Sequence, residues 1–109
     1  MKFDMNKMLQ EAQRMQEELA RAQQEAANEI VEASAGGGMI TVKANGAGEV
    51  VSIVIDPKAI DPDDPELLAD LVLAAVNEAL RSARALMESK VSGLMPSGLG
   101  DLGGLLPGS

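Results

Sequence analysis

Lys7, Arg14 and Arg21 recur at intervals of seven, and the chemistry open to such a row is contact with phosphate. On a helix seven residues rise about 10.5 Å, so three cations along one flank extend over roughly 21 Å. A nucleic-acid backbone crossing that flank would meet them as separate contacts, indifferent to base sequence. Glu11, Glu18 and Glu25 each follow one cation at four residues, the spacing of ordinary surface ion pairs. Spacing alone favours the ion pairs. Arg81 and Arg84 make a second candidate pair, although cations near a helix C-terminus also complement the helix dipole.

Little other chemistry is open to this chain. It holds neither cysteine nor histidine. That removes disulfides, thiolate nucleophiles, zinc sites built on sulfur or imidazole, and the Ser-His-Asp and Cys-His arrangements. The acidic run from Asp61 to Glu66 departs from a calcium loop, because Glu66 stands where the sixth-place glycine belongs and Pro62 and Pro65 interrupt the run. Gly36 to Gly38, and the pair Gly46 and Gly48, join strand to strand. No Gly-Lys-Ser/Thr follows them, so they read as turns rather than phosphate cradles. No pair stands out for acid–base work among the 17 carboxylates. The expectation is a protein that is not an enzyme and takes no metal, cofactor or small-molecule substrate.

The formal net charge is −8, which argues against a generic polyanion binder. The uneven distribution of that charge weakens the objection. Residues 1–24 balance, whereas the segment from Asp61 to Glu78 carries six carboxylates and no cation. Arg81, Arg84 and Lys90 then outnumber Glu88. Phe3 is the only aromatic residue, so there is no platform for stacking unpaired bases, and an aromatic single-strand binder is excluded. The longest apolar run, Leu71 to Val76, is far below the ~20 residues that span a bilayer. Met1 to Met15 lacks the apolar core of a secretion signal. These readings place the chain in the cytoplasm, away from membranes.

A length of 109 residues predicts one small domain. From Asp4 to Asn28 there is neither glycine nor proline, and Met5, Met8, Ala12, Met15, Leu19, Ala22 and Ala26 fall at alternating steps of three and four. This predicts a long helix with a narrow seam suited to another helix, as in a coiled coil. The period then changes. Ile30 to Ser34, Met39 to Asn45 and Glu49 to Asp56 predict three antiparallel strands, with Asn45-Gly46 as the signal of the second hairpin. Val50 and Val54 add apolar side chains opposite Val51, Ile53 and Ile55, so part of the second sheet face is expected to be covered. Asp64 is the expected N-cap of a second helix, with Pro65 at its first position, Glu66 in its first turn and Gly93 as its stop. That helix is expected to cover the sheet. The fold class is therefore α+β, with order α-β-β-β-α in residues 1–92. Residues 93–109 read as a flexible Gly/Leu-rich tail with apolar points at Leu94, Leu99, Leu102, Leu105 and Leu106.

The order and spacing of these pieces resemble the YbaB/EbfC family of bacterial nucleoid-associated proteins, from about Lys2 to Pro96. The similarity rests on Met8, Gln13, Met15 and Gln16, then Gly37-Gly38, Val42, Asn45-Gly46 and the run Val50 to Pro57. It continues through Leu67 to Leu71 and Ala74 to Ala79. The resemblance implies a homodimer whose N-terminal helices project like tweezers, and a non-enzymatic DNA-binding role in the nucleoid. It supplies no sharp motif of contacting residues. Lys7, Arg14, Arg21, Arg81 and Arg84 are candidates through their positions alone. The expected function is binding of double-stranded DNA, largely through its backbone. The alternative is a protein–protein adaptor that uses the helices and the Leu-rich tail.

Overall fold

The computed structural model describes residues 4–94. Asp4 accepts the Lys7 N–H at 3.2 Å and caps α1, Met5–Asn28. The next residue, Glu29, is already extended, and β1 (Ile30–Ala35) follows directly. Gly36, Gly37 and Gly38 all have φ between 63° and 93°, a left-handed run that only glycine sustains cheaply. It turns the chain into β2 (Ile40–Asn45), and a second hairpin leads to β3 (Val50–Ile55). In that hairpin the Asn45 Oδ1 accepts the N–H groups of Ala47 and Glu49 at 3.0 and 3.2 Å. The strands lie in the order β1-β2-β3, antiparallel throughout.

A 3₁₀ turn at Pro57–Ala59 leaves the sheet. The acidic run then behaves as turn and cap: Asp61 accepts the Asp63 N–H at 3.0 Å and Asp64 accepts the Leu67 N–H at 3.2 Å. Helix α2, Pro65–Ser92, starts with proline at its first position and ends at Gly93. Strand boundaries differ from expectation by a residue or so. β1 extends to Ala35, while Met39, Glu49 and Asp56 fall just outside β2 and β3. Backbone bonds from Asn45 to Glu49 (2.9 Å) and from Asp56 to Met39 (2.8 Å) still close the ladder there.

One face of the sheet carries the core. Ile40, Val42 and Ala44 of β2 are wholly buried against Ala75, Ala79 and Ala83 of α2, joined by Val31, Ala33 and Ala35 of β1. The three alanines let the helix lie close to the strands. The expectation that α2 covers the sheet needs correction at β3. Ile53 is paired with buried Val42, yet it is 45% exposed. A helix with its side chains is about 10–12 Å wide and strands are about 4.8 Å apart, so one helix spans two strands and meets the third only at its Ile55 end. The second face is likewise uncovered among the described residues. Glu32, Lys43 and Ser52 share it with Val54, which is 59% exposed.

Helix α1 has a split role. Its only buried residues are Ala22 and Ala26, near the C-terminal end that packs against α2 and touches β2. Met5, Met8 and Met15 stand exposed on the remainder. At the packed end the Gly46 N–H donates to the carbonyls of Ala26 (3.0 Å) and Glu29 (3.3 Å), so the second hairpin sits directly on the end of α1. The expected tail at 93–109 lies outside the described residues beyond Leu94.

Candidate nucleic-acid interface

The regular α1 helix puts Lys7, Arg14 and Arg21 on one exposed flank, as the seven-residue spacing requires. Two of the three expected ion pairs do not form. Arg14 meets Glu11 at 2.9 Å and Glu18 at 3.6 Å, and its hydrogen bond to Glu11 raises the guanidinium pKa further. Lys7 and Arg21 make no ion pair among the described residues. The middle cation is therefore held between two carboxylates while the outer two face solvent. A phosphate approaching this flank would find Lys7 and Arg21 available, and would compete with Glu11 and Glu18 for Arg14.

Arg81 and Arg84 lie one turn apart on α2. Arg81 places Nε and a terminal nitrogen on one oxygen of Glu78, at 3.2 and 2.7 Å. Arg84 sits over the β2–β3 hairpin beside Gly46, Ala47 and Gly48 and has no carboxylate partner among the described residues. The five candidates thus divide into a row along α1 and a pair on α2, of which Arg84 lies beside the hairpin.

Lys90 does something the sequence did not disclose. Its Nζ meets Glu29 at 2.9 Å and ties the last turns of α2 to the junction of α1 and β1. The hydrogen bond to Glu29 raises the Lys90 pKa above its ordinary value. No group of three or more potential metal ligands occurs among the described residues, and no described helix is long and apolar enough to cross a membrane.

Comparison with known proteins agrees with this architecture. The profile of the YbaB/EbfC DNA-binding family matches residues 1–99. A nucleoid-associated protein of Streptomyces avermitilis is 50% identical over 105 residues, covering 96% of this chain and 90% of the relative. A nucleoid-associated protein of Thermoanaerobacter pseudethanolicus is 51% identical over 90 residues, covering 83% and 81%. The crystal structure of an uncharacterized protein from Helicobacter pylori superposes with a TM-score of 0.74 at 21% identity, covering 87% of this chain and all of that one. At that identity the likeness is one of fold.

Proposed function

The chain belongs to the YbaB/EbfC DNA-binding family, and from that premise we propose that it is a nucleoid-associated protein that binds double-stranded DNA as a homodimer, mainly through the phosphate backbone. The observation that carries the contact surface is the α1 flank. Lys7 and Arg21 stand solvent-facing about 21 Å apart along a helix whose first turns project from the core. Arg81 and Arg84 are secondary contacts. No exposed basic helix of the kind that reads base edges is present among the described residues, so the binding discriminates weakly between sequences. The chain's role is binding, in the nucleoid of the cytoplasm, with no catalytic step.

Two features support the homodimer. Among the described residues β3 is an edge strand with an unpaired outer side, the sort of edge that recruits another strand. Apolar side chains flank it on both faces: Ile53 and Val54 on the strand, and Val72, Leu73 and Val76 along the adjoining groove of α2. A second copy seated there would bury what one helix cannot reach.

Fluorescence anisotropy with duplex DNA across a salt series tests this reading. Affinity should fall linearly on logarithmic axes as counterions are released. No binding at low salt, or binding indifferent to salt, would reject it and leave the adaptor as the reading to pursue.

A further inference from the structure

The chain has four asparagines, and only Asn45 precedes a glycine. An asparagine in that setting is the most open to attack on its own side chain, because glycine puts no Cβ beside its backbone nitrogen. In the structure both reacting groups are engaged. The Gly46 N–H donates to the carbonyls of Ala26 at 3.0 Å and Glu29 at 3.3 Å. The Asn45 Oδ1 accepts from the backbone of Ala47 and Glu49, and its Nδ2 donates to a Glu49 carboxylate oxygen at 3.5 Å. Gly46 is buried against the end of α1, and Asn45 is half-buried. For the attack, the Gly46 nitrogen must give up its proton and turn toward the Asn45 Cγ. Neither movement is open while α1 is seated, since a buried backbone group left without a partner is costly.

We propose that Asn45 is a site of spontaneous deamidation, gated by the lifting of the α1 end from the β2–β3 hairpin. The reaction needs only water. With α1 lifted, the Gly46 nitrogen loses its proton to solvent and attacks the Asn45 Cγ. The new C–N bond closes a five-membered imide, the bond from Cγ to Nδ2 breaks, and ammonia leaves with a proton from water. A second water then opens the ring. Breaking the bond from Cγ to nitrogen leaves aspartate in the ordinary chain. Breaking the bond from the main-chain carbonyl carbon leaves isoaspartate, whose chain runs through the former side chain. Nothing is oxidised or reduced. The two products differ in what they do to the hairpin. Aspartate keeps the acceptor for Ala47 and Glu49, but sets a carboxylate beside that of Glu49. Isoaspartate adds a methylene to the main chain next to Gly46, where even a Cβ would overlap the Ala26 carbonyl oxygen. The bonds from Gly46 to α1 cannot then re-form, so isoaspartate holds the helix end in its lifted state.

The full-length chain is incubated at fixed pH and temperature beside the free peptide 44–58, the fragment released by cleavage after Lys43 and Lys58. Mass spectrometry follows the loss of Asn45, and enzymatic methylation counts isoaspartate. The folded chain should convert at least about tenfold more slowly than the peptide, because reaction through a local opening carries the free energy of that opening. Lys90→Glu sets like charges at the junction that Lys90 and Glu29 now close, and should speed conversion about two- to fivefold. Hydrogen exchange of the Gly46 amide should quicken by the same factor, with β2 unchanged; quickened β2 exchange would assign the conversion to global unfolding and overturn the gate. A folded chain that converts as fast as the peptide also overturns it, as does a Lys90→Glu rate equal to the parent's. Loss of Asn45 without isoaspartate would exclude the imide. No loss of Asn45 in either folded protein, once the peptide has converted fully, would remove the site altogether. The isoaspartate form, separated by chromatography, should show about tenfold faster exchange over residues 22–28; exchange equal to the parent's would refute the lifted helix end.

Discussion

Replacing Gly46 by alanine should loosen the whole attachment of α1. Gly46 does not have a positive φ, so its conformation alone would tolerate a side chain. The obstacle is proximity. A Cβ there would overlap the Ala26 carbonyl oxygen and lie 2.6 Å from its carbon and 3.2 Å from its Cα. All three are helix backbone atoms that cannot swing aside, so the hairpin must lift away from α1. Lifting breaks the bonds from the Gly46 N–H to Ala26 and Glu29. Each such bond contributes about 0.5–1.5 kcal/mol, and forced displacement of packed groups costs about 1–3 kcal/mol more. The total is about 2–6 kcal/mol. At about 4–8 °C per kcal/mol for a domain of this size, the melting temperature should fall by at least about 8 °C. Thermal unfolding followed by circular dichroism, at fixed protein concentration, measures it. Gly48→Ala is the comparison: its φ is +87° but nothing lies within 4 Å, so it costs only the left-handed backbone, about 1–2 kcal/mol. A Gly46→Ala melting point within about 3 °C of the parent would refute the close-approach argument.

Changing Lys7, Arg14 and Arg21 together to Gln should make the slope of log affinity against log salt shallower by about 0.9 for each phosphate no longer neutralised. A dimer in which two to four of its six altered sites touch DNA should lose roughly 2–4 units; an unchanged slope moves the binding surface to Arg81 and Arg84. The solvent-facing positions should dominate, so Lys7→Gln and Arg21→Gln should each weaken binding more than Arg14→Gln, measured by anisotropy at one salt concentration. Asp64→Ala removes the cap on Leu67 and should cost about 1 kcal/mol, read as a melting shift of about 4–8 °C. Lys90 has its pKa raised by Glu29, so its contribution is complete below the ordinary lysine value near 10.4 and is lost as pH rises through the raised one. The melting-point gap between parent and Lys90→Gln should therefore hold from neutral pH to about 10 and close above it. Sedimentation at micromolar concentration should give twice the 11.3 kDa protomer mass, and Val54→Lys should shift it toward the monomer.

What could be read from the sequence was whatever is encoded locally. The alternation of Ile40, Val42 and Ala44 names the buried face of β2, and Asp64-Pro65 marks the start of α2, because both signals span a few residues. The seven-residue row on α1 was legible for the same reason. What escaped depends on distance along the chain. Glu29 and Lys90 meet only after the fold brings the two helix ends together, and nothing in either segment announces it. Gly46 signalled a hairpin, while its contact with Ala26 belongs to tertiary packing. The exposure of Ile53 was hidden because its apolar alternation matches that of a buried strand; how far α2 reaches across the sheet is set by helix width. The choice of Arg14 between Glu11 and Glu18, leaving Lys7 and Arg21 open, is a matter of side-chain geometry that spacing cannot rank.

The direct passage from α1 into β1 has a mechanical consequence. A single extended residue, Glu29, separates the helix from the strand, and Gly46 and Lys90 both grip that junction. There is no joint at which the helix can swivel. A helix of 24 residues is about 36 Å long, so a 5° change in the set of the sheet would displace its far end by about 3 Å, the difference between touching a phosphate and missing it. On the proposed contact surface the aim of Lys7 is set from the alanine-lined core at the other end of the lever, and a methyl group added beneath α2 should change DNA affinity although it touches no cation of α1.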